Sequence, residues 1–296
     1  MKAAARIVVL AALSAGMIIA PAAGRAAEPK QPPLRIAFIP SENPEQLIDN
    51  VRPAVRFLER RLGRKIRYFI TLSYSSAVEA LNSGKADISF MSPLPYVLAH
   101  GQTGAVAILG EIYNGKSYYQ SRIFVRKDSG IKSLADLKGK SIAYVDPISS
   151  SGFMYPHDIF VRAGLVKGGL DKPEGRFFRR VYFAGGDEQA IRSVFGGFVD
   201  AAGVSEYSIN LLKQQERDEL VPLATSRRIP SHGVVASKRL APKVRRRFVE
   251  AMLELNKPGN RKYLRYLYGT EGYIRVNHQT YQSVADMARK YGFLKK

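Results

Sequence analysis

Short apolar runs typical of β-strands alternate with segments of helical periodicity along the chain from residue 34 onwards. The run 34–39 precedes a segment whose apolar residues recur at helical spacing up to Leu62. The same order returns where the strand-like run 141–145 precedes a segment that opens at Ser149. Alternation with short connections favours parallel sheets that are covered by helices on both faces. The pattern predicts an α/β fold of two lobes, each a mainly parallel sheet flanked by helices.

The same alternation predicts where each lobe begins and ends. A new set of strands starts near residues 122–125, and the apolar run 233–236 is predicted to return to the first set. Lobe one is therefore predicted to comprise residues 34–118 and 231–296, and lobe two residues 119–230. Because no Gly-, Pro- or Ser-rich linker separates the two sets, we expect crossing strands between the lobes and a ligand cleft between them.

Residues 1–26 have the pattern of a secretory signal peptide. A short cationic start precedes the apolar run 7–20, and small residues follow it. We expect cleavage between Ala23 and Ala27 and a soluble mature protein in the periplasm. The apolar run of 14 residues is shorter than a stable membrane span. A retained single-pass anchor is the alternative.

The composition narrows the chemistry that the chain can perform. It has no cysteine, which excludes disulfides, zinc–thiolate clusters and iron–sulfur ligation. Its four histidines lack metal-binding spacing, and neither a GxxxxGK[ST] loop nor a GxSxG motif occurs. We therefore predict no catalytic residue, no metal site and no cofactor, and a binding protein rather than an enzyme. The formal net charge of +21, about +18 after removal of the signal peptide, favours an anionic partner.

Four turns join a predicted strand to a predicted helix and carry hydroxyl or acidic side chains. They are residues 91–93, 149–152, 185–187 and 204–206, the last of which is predicted to open a helix over 205–213. In parallel sheets such turns gather at the edge where ligands bind. Backbone N–H groups at a helix start attract anions, and serine hydroxyls add donors without net charge. Asp187 is also expected to cap the helix that follows it.

Two segments resemble a known family. Residues 86–99 (ADISFMSPLPYVLA) and 134–152 (LADLKGKSIAYVDPISSSG) resemble the periplasmic substrate-binding proteins of phosphate, phosphite and phosphonate ABC transporters. Residues 183–191, 199–204 and 229–235 continue the resemblance. It implies a type II periplasmic binding fold in which Ser149, Ser150 and Ser151 hold the phosphorus-bound oxygens. Tyr74 matches a tyrosine of the first lobe in this family.

Other positions depart from the family pattern. Met91, followed by Ser92, stands where phosphonate binders often have a tyrosine, and Asp187 takes the place of a histidine in its turn. Tyr207 and His232 fall where aminoalkylphosphonate binders place carboxylates, so an ammonium-bearing ligand would lose its counter-charge there. Phosphate, phosphite, a simple phosphonate or another tetrahedral oxyanion therefore all stay open. The predicted ligand-binding residues are Tyr74, Met91, Ser92, Ser149, Ser150, Ser151, Asp187, Tyr207 and His232.

The resemblance also implies partners. We expect a small oxyanion ligand, an ABC permease at the inner membrane, a monomeric protein and no nucleic acid. A sensory binding protein that serves a membrane histidine kinase is the main alternative. A periplasmic hydrolase on the same fold is disfavoured because no activated nucleophile is recognisable. A nucleic-acid or lipid-surface binder is disfavoured because no basic block exceeds residues 245–247.

Overall fold

A computed structural model describes residues 31–40, 43–168 and 174–294. The predicted signal peptide, residues 1–26, lies outside the described residues. Residues 32–296 cluster as one compact unit.

Within the described ranges, none of the helices combines the length and the apolar character that a membrane crossing requires.

The described residues form thirteen strands and eight α-helices. In chain order the strands are β1 (Leu34–Phe38), β2 (Ile66–Ile70), β3 (Ile88–Met91), β4 (Val106–Ile112), β5 (Tyr118–Tyr119), β6 (Ser121–Arg126), β7 (Ser141–Tyr144), β8 (Arg180–Phe183), β9 (Ala201–Ser205), β10 (Leu220–Thr225), β11 (Ile229–Pro230), β12 (Gly233–Ala236) and β13 (Gly272–Arg275). The helices are α1 (Pro44–Leu62), α2 (Tyr74–Asn82), α3 (Pro93–Thr103), α4 (Tyr155–Arg162), α5 (Asp187–Phe195), α6 (Gln214–Arg217), α7 (Pro242–Leu253) and α8 (Gln282–Lys290).

Two mixed sheets organise the chain. The first has the order β13-β4-β12-β3-β1-β2, and the second has the order β10-β6-β9-β7-β8. In the first sheet β1 is parallel to β2 and β3, whereas β12 is antiparallel to β3 and β4. In the second sheet β7 is parallel to β8 and β9, whereas β6 is antiparallel to β9 and β10. The α/β architecture agrees with the sequence prediction, but the prediction that each sheet is mainly parallel was wrong, because about half of the strand pairings in each sheet are antiparallel.

The chain passes between the two sheets at two points. Strands β5 and β11 pair with each other in a two-stranded ribbon, and β6 and β12 follow them directly. The strands of the first sheet come from residues 34–112 and 233–275, and those of the second from residues 121–225. The lobe boundaries at residues 118 and 230 stay a prediction.

Local sequence explains why α1 forms as predicted. Its start is fixed by Asn43, whose Oδ1 accepts hydrogen bonds from Glu45 N at 3.0 Å and Gln46 N at 3.4 Å. Its end is fixed by Gly63, which adopts a left-handed conformation with φ of 61°. The residues between bury one face against the first sheet in a shared apolar core.

The helix predicted over residues 205–213 was wrong. Ser205 ends β9, where it pairs with Ser121, and Glu206 N bonds to Gln120 O. The backbone is therefore engaged in strand pairing at the position where the helix should begin. Only a short 3₁₀ turn, Ser208–Leu211, follows. Strand β13 was not predicted, because it has four residues of which only the first two are buried.

Candidate functional site

The turn that follows β7 places three buried serines at the start of a helix. Ser149 Oγ accepts a hydrogen bond from Gly152 N at 3.0 Å and so caps the wide turn Ser150–Met154, which leads into α4. Gly152 is required here because a Cβ atom would lie 2.3 Å from the side chain of Val145. Ser150 and Ser151 are buried at the N-terminal, positive end of the helical segment that follows.

The start of α3 lies opposite this turn. Pro93 and Pro95 have no N–H, so Leu94 carries the only N–H donor among the first three residues of the helix. That N–H donates to Ser150 Oγ at 2.7 Å and joins the helix of the first sheet to the turn of the second. Ser92, the residue before α3, is 1% exposed, and its Oγ has no partner among the described residues. We call Ser149–Ser151 and residues 92–95 the facing helix starts.

Asp187 lies on the other side of the serine turn, at the start of α5. Its Oδ1 accepts from Ser208 Oγ at 2.7 Å and from Ser205 N at 3.2 Å. Its Oδ2 accepts from the Tyr74 hydroxyl at 3.5 Å. Burial raises the pKa of Asp187, and these three donors lower it in part.

The expectation that Asp187 caps its own helix was wrong. The capping position belongs to Gly186, and no side-chain bond caps α5. Asp187 is itself the first residue of α5, so its side chain lies inside the helix and not at the capping position. The Asp187 carboxylate is directed towards β9 and Tyr74 instead, and its oxygens are occupied there.

A second cluster joins the serine turn to the crossing strands. The Tyr119 hydroxyl donates to Ser151 Oγ at 3.3 Å and lies 3.0 Å from His232 Nε2. With the phenol proton given to Ser151, the contact with His232 requires a proton on Nε2. Burial lowers the pKa of His232 to about 4, so the imidazole is neutral at neutral pH.

A cavity of about 330 Å³ opens beside this cluster. We call it the tyrosine cavity, because its lining contains four tyrosine rings: Tyr113, Tyr119, Tyr207 and Tyr268. The Tyr207 ring lies 5.0 Å from that of Tyr113 and 6.5 Å from that of Tyr119. Two carboxyl groups, Asp187 and Glu271, line it as well, and among the described residues no lysine or arginine does.

The wall behind the cavity holds a buried acid. Glu111 on β4 is 1% exposed, and its Oε2 accepts from the Tyr113 hydroxyl at 3.0 Å. Its Oε1 has no hydrogen-bond partner among the described residues. Burial raises the pKa of Glu111 to about 8, so a proton resides on the carboxyl group at neutral pH.

The predicted site residues divide into two groups. Asp187, Tyr207 and His232 line the tyrosine cavity. The other six, which do not line it, are Tyr74, Met91, Ser92, Ser149, Ser150 and Ser151. Tyr74 reaches Asp187, and Ser151 reaches Tyr119, so hydrogen bonds connect members of the two groups. Met91 is buried at the end of β3, opposite Gly233.

Sequence reasoning missed part of the cavity wall. Tyr119 is the last residue of β5, two residues before β6 begins, and an aromatic residue where the chain crosses between the sheets was the available signal. Glu271 and Tyr268 come from the segment before β13, where no strand was predicted. Nothing in the sequence around Glu271 and Tyr268 linked these residues to Tyr119, about 150 residues earlier in the chain.

Across the described ranges, no three His, Asp or Glu side chains converge in a way that could hold a metal ion.

Comparisons with known proteins identify the family. The sequence profile of a family described as "ABC transporter, phosphonate, periplasmic substrate-binding protein" matches residues 36–281. The phosphate-import protein PhnD of Mycolicibacterium smegmatis is 31% identical over 172 residues, which are 57% of this chain and 53% of that protein. The phosphonates-binding periplasmic protein of Escherichia coli is 25% identical over 248 residues, 80% of this chain and 70% of that protein.

A solved structure supports the same fold. PhnD1 from Prochlorococcus marinus, in complex with methylphosphonate, superposes with a TM-score of 0.76 at 19% identity. The superposition covers 87% of this chain and 97% of that one.

Proposed function

This chain belongs to the family of periplasmic substrate-binding proteins of phosphonate ABC transporters, and we propose that it captures a small phosphorus oxyanion between its two sheets and passes it to an ABC permease. The family consists of transport proteins that bind substrates and not of enzymes, in agreement with the sequence prediction. The proposal places the mature protein in the periplasm, with residues 1–26 removed, and treats it as a monomer.

The contact between Leu94 N and Ser150 Oγ carries the proposal. This 2.7 Å hydrogen bond joins the start of α3, which follows a strand of the first sheet, to the serine turn, which follows a strand of the second. An oxyanion that enters between them accepts from the Leu94 N–H and from the serine hydroxyls, and lies near the positive ends of two helix dipoles. All these donors are uncharged, so the ligand supplies the only full charge at that point. Serine donors and helix starts suit phosphorus-bound oxygens well.

The tyrosine cavity favours a ligand that extends beyond its oxyanion. The cavity has aromatic walls and two carboxyl groups, and its described lining offers no cation. A second anionic group would be repelled there, whereas an alkyl or ammonium group gains contact with the tyrosine rings. Glu271 supplies a counter-charge that positions 207 and 232 lack. We therefore propose a phosphonate with a small neutral or cationic substituent as the preferred ligand over inorganic phosphate.

A ligand panel tests the proposal. The melting temperature of the purified mature protein is measured with methylphosphonate, 2-aminoethylphosphonate, phosphate, phosphite and sulfate at constant ionic strength. A ligand at 100 times its Kd should stabilise the protein by about 2.7 kcal/mol. We expect the two phosphonates to give the largest shifts. The absence of a shift with every phosphorus oxyanion would contradict the proposed function, and a larger shift with phosphate than with either phosphonate would contradict the proposed ligand.

A further inference from the structure

Half of the excess positive charge of the chain is concentrated in two sequence stretches. Residues 44–67 and 242–265 contain 15 lysines and arginines against 5 aspartates and glutamates. Their net charge of +10 compares with +21 for the whole chain. No basic run in either stretch exceeds three residues. Any larger basic surface must therefore be assembled by folding.

The fold brings the two stretches together. Helix α1 packs against α7 and against the 3₁₀ segment Pro258–Tyr266. The Arg247 guanidinium donates to Leu62 O, at the end of α1, at 2.7 Å. An ion pair of 2.9 Å between Arg61 and Glu254 joins the end of α1 to the residue after α7. We call the solvent side of α1, α7 and the segment Pro258–Tyr266 the basic face.

The cations on this face point towards solvent. On α1 they recur at four-residue spacing, opposite the buried face of the helix. Exposed members of the basic face are Arg52, Arg56, Arg60, Lys243, Arg246 and Arg261. Arg52 pairs with Asp49 at 2.7 Å. Among the ion pairs found in the described ranges, none involves Arg56, Arg60, Lys243 or Arg246.

We propose that the basic face binds the anionic phospholipids of the inner membrane on its periplasmic side. The exposed cations are spread over three outward helical segments, which suits the many phosphates of a lipid surface better than a single small anion. The contact keeps the loaded protein near its permease, and of the proposed function it needs only the periplasmic location.

Vesicle binding of the mature protein tests this surface. Co-sedimentation is measured with vesicles of one-third phosphatidylglycerol in phosphatidylcholine, and with phosphatidylcholine alone, at low salt. The variant Arg56→Gln/Arg60→Gln/Lys243→Gln/Arg246→Gln removes four unpaired cations from the face. The control Lys132→Gln/Lys138→Gln/Arg162→Gln/Lys167→Gln removes four exposed cations from the part of the chain around the second sheet. Thermal shift with methylphosphonate reports whether each variant is folded and binds ligand.

Each basic residue contributes about fivefold in affinity for an anionic membrane at low salt. We expect the wild type and the control variant to bind the anionic vesicles and to dissociate as salt shortens the Debye length. The face variant should lose at least about a hundredfold in affinity while its methylphosphonate response is unchanged. Equal losses in both variants, or equal binding to phosphatidylcholine alone, would overturn the proposal. Tighter binding to duplex DNA than to the anionic vesicles at equal salt would assign the face to another polyanion and overturn it too.

Discussion

The facing helix starts and the tyrosine cavity adjoin each other, but they are built from different groups. The facing helix starts use backbone N–H groups and serine hydroxyls, and they contain no titratable side chain. The tyrosine cavity and its rear wall use phenols, carboxyl groups and an imidazole, several of which have a shifted pKa. In the proposed function, the helix starts bind the oxyanion through groups that do not titrate, and the tyrosine cavity selects the substituent that the oxyanion carries.

The largest expected effect falls on the facing helix starts. The double variant Ser150→Ala/Ser151→Ala removes two hydroxyls from the proposed anion site. A hydrogen bond to a charged ligand is worth about 1.5–3 kcal/mol, so methylphosphonate affinity should fall at least about a hundredfold. Calorimetry measures the loss. Ser193→Ala, whose hydroxyl donates to Ala190 O at 2.7 Å within its own helix, should bind like wild type. Unchanged affinity in the double variant would show that the serine turn only caps a helix and does not bind the ligand.

The second prediction concerns the acid behind the cavity wall. The pKa of Glu111 is raised to about 8 in the folded protein, against about 4.5 when unfolded. The folded state therefore holds the proton more tightly, and the stabilising contribution is complete below pH 4.5 and is lost as the pH rises through 8. Unfolding free energies of wild type and Glu111→Gln should diverge over this range by roughly 5 kcal/mol in favour of the variant at high pH, since each pKa unit is worth about 1.4 kcal/mol. Parallel pH profiles would show that Glu111 is solvated.

A substitution of Asp187 tests whether the cavity distinguishes fully ionised from monoprotonated anions. Its carboxylate would repel a fully ionised anion, and it can accept a proton from a monoprotonated one. In Asp187→Asn the ratio of phosphate to sulfate affinity should fall by about tenfold, because the amide also donates. The exposed Asp218→Asn controls for the lost charge. A ratio that stays the same while both anions bind would make Asp187 a structural residue.

The smallest effect is expected at the edge of the cavity. Glu271 is exposed, and its Oε2 accepts from Gly115 N at 2.8 Å. An exposed charge pair is worth about 0.2–1 kcal/mol, so Glu271→Gln should weaken 2-aminoethylphosphonate by about two- to fivefold. Methylphosphonate, which has no ammonium group, should bind equally well to both proteins. Equal changes in affinity for both ligands would show that Glu271 does not contribute to ligand selection.

The same contrast explains how far the sequence could predict the site. The serine turn and the start of α3 are local motifs, because a strand, a cap and a helix follow one another within about ten residues, and both were identified. The residues that line the tyrosine cavity are far apart in the sequence. Tyr119, Asp187 and Glu271 are separated by more than 60 residues in each case, and only the pairing of β4 with β13 and the crossing strands bring them together. The predicted role of Asp187 as a cap failed because its carboxylate accepts from Ser205 N, Ser208 Oγ and the Tyr74 hydroxyl, contacts that no local pattern shows.

A crystal structure with bound methylphosphonate tests the central claim most directly. The account predicts the phosphorus group between the facing helix starts, with oxygens about 3 Å from Leu94 N and from the hydroxyls of Ser150 and Ser151. The methyl group should point towards Tyr119 and the tyrosine cavity. A phosphonate bound elsewhere, with the 2.7 Å bond between Leu94 N and Ser150 Oγ still in place, would contradict the account.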